Sequence, residues 1–364
     1  MTPERSALAP TVEDAEAVWT SALWRGIGRM IDRAPSLAAI RAHRLELLAL
    51  ARWRAIGRSI APALLEEGRL VTLRALATPV LLKSVRAACD GPIVLLKGPE
   101  AASCYPSPSL RPYGDIDLLV PDAERVQRSL VAAGFVPVGD LRVYTGIHHL
   151  QPLHLEGLPL VVEIHSRPKW PDGLQPPPLE ELVECAVGTA IGVEGILALP
   201  RMQHALAIAA HNWAHQPLGR LFGVIDVAAV SEGVPERELD AIARSWGLRR
   251  IWRLTSRVVD ALFLDARPPV PLRVWGRSLV DVRERTVLET HLQRWIASFS
   301  ALPPHAAAAA AVRAVGGDLR PVPGERWSTK LARSRLAIAN ATMPRSEHEA
   351  EVESELARRE AERR

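Results

Sequence analysis

Lysine is scarce in this 364-residue chain: only Lys83, Lys97, Lys169 and Lys330 occur, and every other one of the 45 basic residues is arginine. The net charge of +4 and the pI near 9.2 therefore rest on arginines spread along the chain and interleaved with 41 acids. That dispersion provides no basic stripe, so a nucleic-acid partner is not expected. Cysteine is rarer still. Cys89, Cys104 and Cys185 stand far apart without a CxxC pair, which argues against a zinc knuckle and a disulfide framework. Long apolar runs are missing: no stretch approaches the roughly 18 residues a membrane helix needs, and Ala306 to Val312 is too short and too alanine-rich. The first residues, MTPERSALAPTVEDAEAVW, place acids where a signal peptide needs an apolar core. A cytoplasmic protein with no membrane partner is the expectation.

Two motif absences narrow the chemistry. The chain has no GxSxG elbow and no GxxxxGK[ST] loop, so a serine-hydrolase site and a P-loop kinase are disfavoured. Aromatic residues are few, and tryptophans dominate them. Trp19, Trp24, Trp53, Trp213 and Trp246 lie in helix-like stretches and read as packing residues. None interleaves with a basic run as single-strand binding would require.

What is present divides the chain. Leu37, Ile40, Leu45 and Leu48, then Ile56, Ile60 and Leu64, recur at helical spacing. This predicts a helical segment over 1–90, closed by the turn Cys89-Asp90-Gly91-Pro92. Ile93 to Leu96 and Ile116 to Val120 are short apolar runs of the kind buried strands show. A helix is expected over 122–133, stopped by Gly134. Strands are expected over 136–144, 149–155 and 160–165, the last two joined at Glu156-Gly157 as a hairpin. Helical periodicity returns from Met202 to about Ser298, with breaks near Gly219, Gly233 and Pro268. The fold class is α+β: a small mixed β-sheet core over 91–187 flanked by N-terminal and C-terminal helical segments, the latter over 188–300. An extension over 301–364 ends in a charged tail, expected to be partly disordered or a solvated helix with pairs such as Glu355 and Arg359.

The chemistry-bearing residues lie in that core. Asp115-Ile116-Asp117 opens a strand, where side chains alternate faces. Both aspartates then point one way, about 7 Å apart, while Ile116 and Leu118 enter the packing. Carboxylates so placed can converge on a hard cation such as Mg²⁺ or Mn²⁺. Glu163 and His165 repeat the pattern on a later strand. With Glu163 beside the aspartates, three carboxylates would suffice for a two-metal phosphoryl-transfer site. Lys97-Gly98 ends the first strand, where glycine lets backbone approach an anion and lysine supplies a point cation. Arg111 is a candidate to bind phosphate or to pair with the aspartates. His148 and His149, preceding a strand, are phosphate contacts or surface residues.

The run from Leu95-Leu96-Lys97-Gly98 through Tyr105, Arg111 and Asp115-Ile116-Asp117-Leu118-Leu119-Val120 resembles the uncharacterised bacterial nucleotidyltransferase family of the DNA polymerase beta-like superfamily. Val162-Glu163-Ile164-His165, the segment Pro200 to His211 and Gly223-Val224-Ile225-Asp226-Val227 fit the same ordered pattern, over roughly residues 90–235. The resemblance implies a small mixed sheet with Asp115, Asp117 and Glu163 as metal ligands and catalytic residues. It also implies transfer of a nucleotidyl group from a nucleoside triphosphate. Lys97, Gly98, Arg111 and His165 are then the nucleotide-binding set, and His149, His211 and Asp226 the candidate substrate contacts. The acceptor it implies is a hydroxyl-bearing small molecule or a peptide natural product. Two other classes remain open: a non-catalytic, antitoxin-like binding module on the same fold, and a phosphotransferase using the same carboxylates. A zinc site on His204, His211 and His215 is disfavoured, because Asn212 stands where a metalloprotease motif has Glu.

Overall fold

The computed structural model describes residues 18–144 and 147–361. The signal-peptide reading of residues 1–17 therefore lies outside the described residues, as does the Arg359 side chain proposed to pair with Glu355. The chain divides into two compact units. One holds the described residues up to Asp32 together with Leu45–Arg167 and Val183–Leu199. The other holds Arg33–Arg44, Pro168–Leu182 and the chain from Pro200 onward.

In the first unit, helices α1 (Ala22–Arg33), α2 (Glu46–Ala55) and α3 (Pro62–Ala88) precede a seven-stranded mixed sheet; Arg33, the last residue of α1, is grouped with the second unit. Its strands are β1 (Val94–Leu95), β2 (Asp115–Leu119), β3 (Val136–Pro137), β4 (Leu153–His154), β5 (Val161–His165), β6 (Val187–Gly188) and β7 (Leu197–Ala198). They lie in the order β3-β4-β5-β2-β1-β7-β6. The two five-residue strands, β2 and β5, pair in parallel at the centre. The α+β class and the mixed sheet are as expected from the sequence.

Alternation fixes the central register. Ile116, Leu118, Val162 and Ile164 are fully buried and pack with Leu81, Leu82 and Val85 of α3. Val126 and Leu130 of helix α4 (Ala123–Ala132) complete that layer. Burying one such aliphatic side chain stabilises by about 1.5–3 kcal/mol. A one-residue slip would exchange these four for the aspartates, so the register is strongly specified. Helix α4 starts where the Asp122 side chain accepts from the Arg125 N–H at 3.0 Å and stops at Gly134, as the sequence suggested.

The hairpin at Glu156-Gly157 forms, with β4 antiparallel to β5. The strand expected over 136–144 does not extend that far. Leu141–Tyr144 is a 3-10 turn, because Asp140 draws the Arg142 N–H to its own carboxylate at 3.0 Å. Leu141 and Val143 remain exposed, with no core to recruit them to a ladder. Pro137, which lacks an N–H, closes β3. Strands β6 and β7 had no sequence expectation; at two residues each, they are too short to carry a period.

The second unit is helical. Helices α5 (Arg201–His215), α6 (Leu221–Ser231), α7 (Glu236–Ser245) and α8 (Arg249–Phe263) pack on one another. At the α5–α6 crossing a Cβ on Gly223 would stand 2.9 Å from the Asn212 amide, whose Nδ2 donates to the Gly223 carbonyl at 2.8 Å. Trp213 and Trp246 are buried here, while Trp19, Trp24 and Trp53 are buried in the first unit, consistent with their reading as packing residues. The C-terminal residues form a helix, Arg345–Ala361, in which Arg358 pairs with Glu355. Among the described residues, no helix is long and apolar enough to cross a membrane.

Candidate metal centre

The parallel register sets Asp117 directly opposite Glu163, with Leu119 opposite His165. Period-two alternation therefore brings Asp115, Asp117, Glu163 and His165 to one face of the sheet, and their aliphatic neighbours to the other. Asp117 and His165 are each 1% exposed, whereas Asp115 and Glu163 are partly open. The His165 Nε2 lies 3.0 Å from Asp117 Oδ1 and 3.7 Å from Glu163 Oε2. Asp117, Glu163 and His165 each offer one ligand atom, all within 4.8 Å of one another. It is the one such group of three among the described residues.

Lys97 completes the cluster from β1. The Leu96 N–H donates to the Asp117 carbonyl at 3.0 Å, after which the chain leaves the sheet. Its ammonium folds back to 3.3 Å from Asp117 Oδ1 and 3.8 Å from Asp115 Oδ2. Burial works against its charge, but Asp117, Asp115 and Glu163 outweigh it and hold Lys97 above the ordinary lysine range. Gly98 makes the turn at φ +69° and ψ −122°, a region open in practice only to glycine. A Cβ there would also press to 3.3 Å from the Asp115 carbonyl oxygen. Arg111, buried, donates to the Gly98 carbonyl at 3.0 Å. Its guanidinium thus fixes the turn that presents Lys97.

Three histidines line the same region. The rings of His148 and His149 each lie 5.3 Å from that of His165, and 4.9 Å from each other. The His149 Nε2 is 3.9 Å from Glu163 Oε2, while its Nδ1 meets the Leu150 carbonyl at 2.8 Å. Burial opposes protonation of His165, yet hydrogen bonds to Asp117 and Glu163 raise its pKa above the usual histidine value. Nothing among the described residues hydrogen-bonds its buried Nδ1. His148, read from the sequence together with His149 as a phosphate contact or a surface residue, stands beside it here. The isolated bridge His149↔His165 brings both rings alongside β5.

The donors fit a divalent cation. Two carboxylates and an imidazole converge at ligand spacing in a cluster whose carboxylates outnumber its one ammonium, and oxygen-rich sets suit Mg²⁺ and Mn²⁺. Lys97, Gly98, Arg111, Asp115, Asp117, His149, Glu163 and His165 are all in the first unit. His211 and Asp226 belong to the second, on α5 and α6. The ring of His211 lies 4.4 Å from that of His215, whose nitrogens meet the Lys169 ammonium. Asp226 is buried at 3% exposure.

No curated protein and no solved structure matches the chain significantly. A family model described as an uncharacterised nucleotidyltransferase matches residues 30–264, more than half of the chain and all of the centre described above. The chain belongs to this uncharacterised nucleotidyltransferase family.

Proposed function

We propose that the protein is a metal-dependent nucleotidyltransferase that moves a nucleotidyl group from a nucleoside triphosphate to a hydroxyl-bearing acceptor, a small molecule or a peptide. The observation that carries the reading is the pairing of Asp117 with Glu163 across parallel strands, with His165 between them. Asp117, Glu163 and His165 would hold the cation, while Asp115, partly open, pairs with Lys97 beside them. When bound, a divalent ion polarises the phosphoryl group and neutralises charge that develops there. The nitrogen donor of His165 favours Mn²⁺ over Mg²⁺.

The remaining residues act on the substrates. Gly98 allows close approach of the triphosphate, and Arg111 keeps that turn in place. The acceptor oxygen attacks the α-phosphorus, the bond to the β-phosphate oxygen breaks, and pyrophosphate leaves. The hydroxyl proton passes to His149 Nε2, whose Nδ1 is engaged by the Leu150 carbonyl and whose charge the nearby Glu163 carboxylate offsets. Lys97 supplies a fixed positive charge beside the reacting phosphate.

A thermal-shift series with ATP, GTP, CTP and UTP, each with and without Mg²⁺ or Mn²⁺, tests this reading. A ligand at 100 times its Kd should stabilise the fold by about 2.7 kcal/mol. The expected result is a rise in melting temperature that needs both ion and triphosphate and disappears in Asp117→Asn. If no triphosphate shifts the transition with either ion, the protein is a non-catalytic binding module. Release of nucleoside diphosphate instead of pyrophosphate would make it a phosphotransferase.

A further inference from the structure

We infer that Lys97 takes the place of one of the two cations a three-carboxylate transferase site would otherwise bind, so that this centre holds a single divalent ion. The inference rests on the proposed metal-binding role of the cluster and goes beyond it, because the sequence alone pointed to two ions.

Charge is the first argument. Asp115, Asp117 and Glu163 share one face of the sheet and together bring three negative charges. The Lys97 ammonium, within 3.8 Å of two of them, cancels one. The remainder equals the charge of one divalent ion. A second ion would meet a cluster already neutralised, would leave it net positive, and would have to displace the lysine from both aspartates.

Geometry is the second argument, and it divides the same residues. The converging ligand atoms come from Asp117, Glu163 and His165. Asp115 stays outside that group and is instead engaged by Lys97. Asp117 joins the halves, its Oδ1 lying 3.0 Å from His165 and 3.3 Å from Lys97. Two-metal centres need carboxylates that bridge ions about 3.5–4 Å apart; here the bridging position on Asp117 faces an ammonium. The lysine is also braced. Gly98 adopts a conformation that other residues avoid, and the buried Arg111 pins its carbonyl. A flexible surface lysine would need no such support.

Counting Mn²⁺ ions decides the point, by calorimetric titration and by the EPR signal of free Mn²⁺, on the full-length protein without nucleotide. One Mn²⁺ per chain is expected for the wild type, and two for Lys97→Met, with the second site absent from Lys97→Arg. Asp115→Asn provides a second route should Lys97→Met fail to fold: it should still bind one ion, with less than a fivefold change in affinity. Two ions in the wild type, or a fall from two to one in Asp115→Asn, would overturn the inference while leaving the metal reading intact. No Mn²⁺ binding by the wild type, with Asp117→Asn indistinguishable from it, would instead remove the metal reading and this inference with it.

Discussion

Asp117 and Glu163 face each other across the parallel β2–β5 pair, so the two carboxylates reach the same point from strands far apart in sequence. Asp117 also receives His165 and Lys97 on one oxygen, and this makes it the residue on which the centre turns.

The first prediction follows from that position. Asn has the shape of Asp but carries no charge, so Asp117→Asn should fold and keep the sheet. Loss of a hydrogen bond that merely supports a ligand costs roughly 10–100-fold in metal affinity, and loss of the ligand itself should cost more. Mn²⁺ affinity measured by calorimetry is expected to drop by at least about 100-fold. A drop below tenfold would remove Asp117 from the ligand set.

Gly98 provides a backbone test. Its dihedral angles suit glycine alone, and an added Cβ would crowd the Asp115 carbonyl. Gly98→Ala should lower unfolding stability by about 1–3 kcal/mol, read from urea midpoints with an unchanged slope. Ala133, whose backbone is not in the positive-φ region, serves as the control site, and Ala133→Gly should cost less.

Arg111 is the third case. Its charged hydrogen bond to the Gly98 carbonyl is buried, and such bonds contribute about 1.5–3 kcal/mol. Arg111→Met, which keeps the apolar stem, should lose that amount in denaturant unfolding. Triphosphate-dependent stabilisation should weaken as well, because the Lys97 turn loosens. A variant with wild-type stability would show that the guanidinium does not brace the turn.

The pH dependence of stability has a predicted sign in the second unit. His43 is buried and its Nδ1 accepts the Leu221 N–H at 3.3 Å. Burial lowers its pKa to about 4, against the upward pull of the Arg283 and Ser278 backbone, with Arg285 and Arg220 adding to the fall. The unfolded chain, with a value near 6.5, therefore binds the proton more readily than the folded one. This contribution to stability is complete above about pH 6.5, declines as pH falls, and is gone below about pH 4. Between pH 7.5 and 5 the loss should be about 2 kcal/mol. His43→Asn, whose amide oxygen can accept the same N–H, should flatten the slope of stability against pH over that window; an unchanged slope would rule His43 out as its source.

Much of the centre was legible because alternation is a local property. Asp115 and Asp117 on one face, Glu163 and His165 on another strand of the same kind, and Gly134 as a helix stop all follow from spacing within a few residues. The pairing of β2 with β5 is not local, and spacing alone could not set Asp117 opposite Glu163. The position of Lys97 was hidden for the opposite reason. Had the strand continued, the lysine would have pointed away from the aspartates, but the chain turns at Gly98 and returns it to them. Strands β6 and β7 are too short for any periodic signal. Leu141 and Val143 misled because β-branched and apolar residues suggest strands even where Asp140 offers the backbone a competing hydrogen bond.

The parallel pairing of β2 and β5 also bears on how the protein folds. Asp117 and His165 are 48 residues apart, and helix α4 and two further strands must be laid down before they meet. Contacts of such sequence separation form late and slowly, because loop closure comes before any gain from pairing. A nascent or partly folded chain therefore presents the two halves of the cluster separately. On the proposed metal-binding reading, added Mn²⁺ should slow unfolding without accelerating refolding, because ion capture would follow arrival at the native topology.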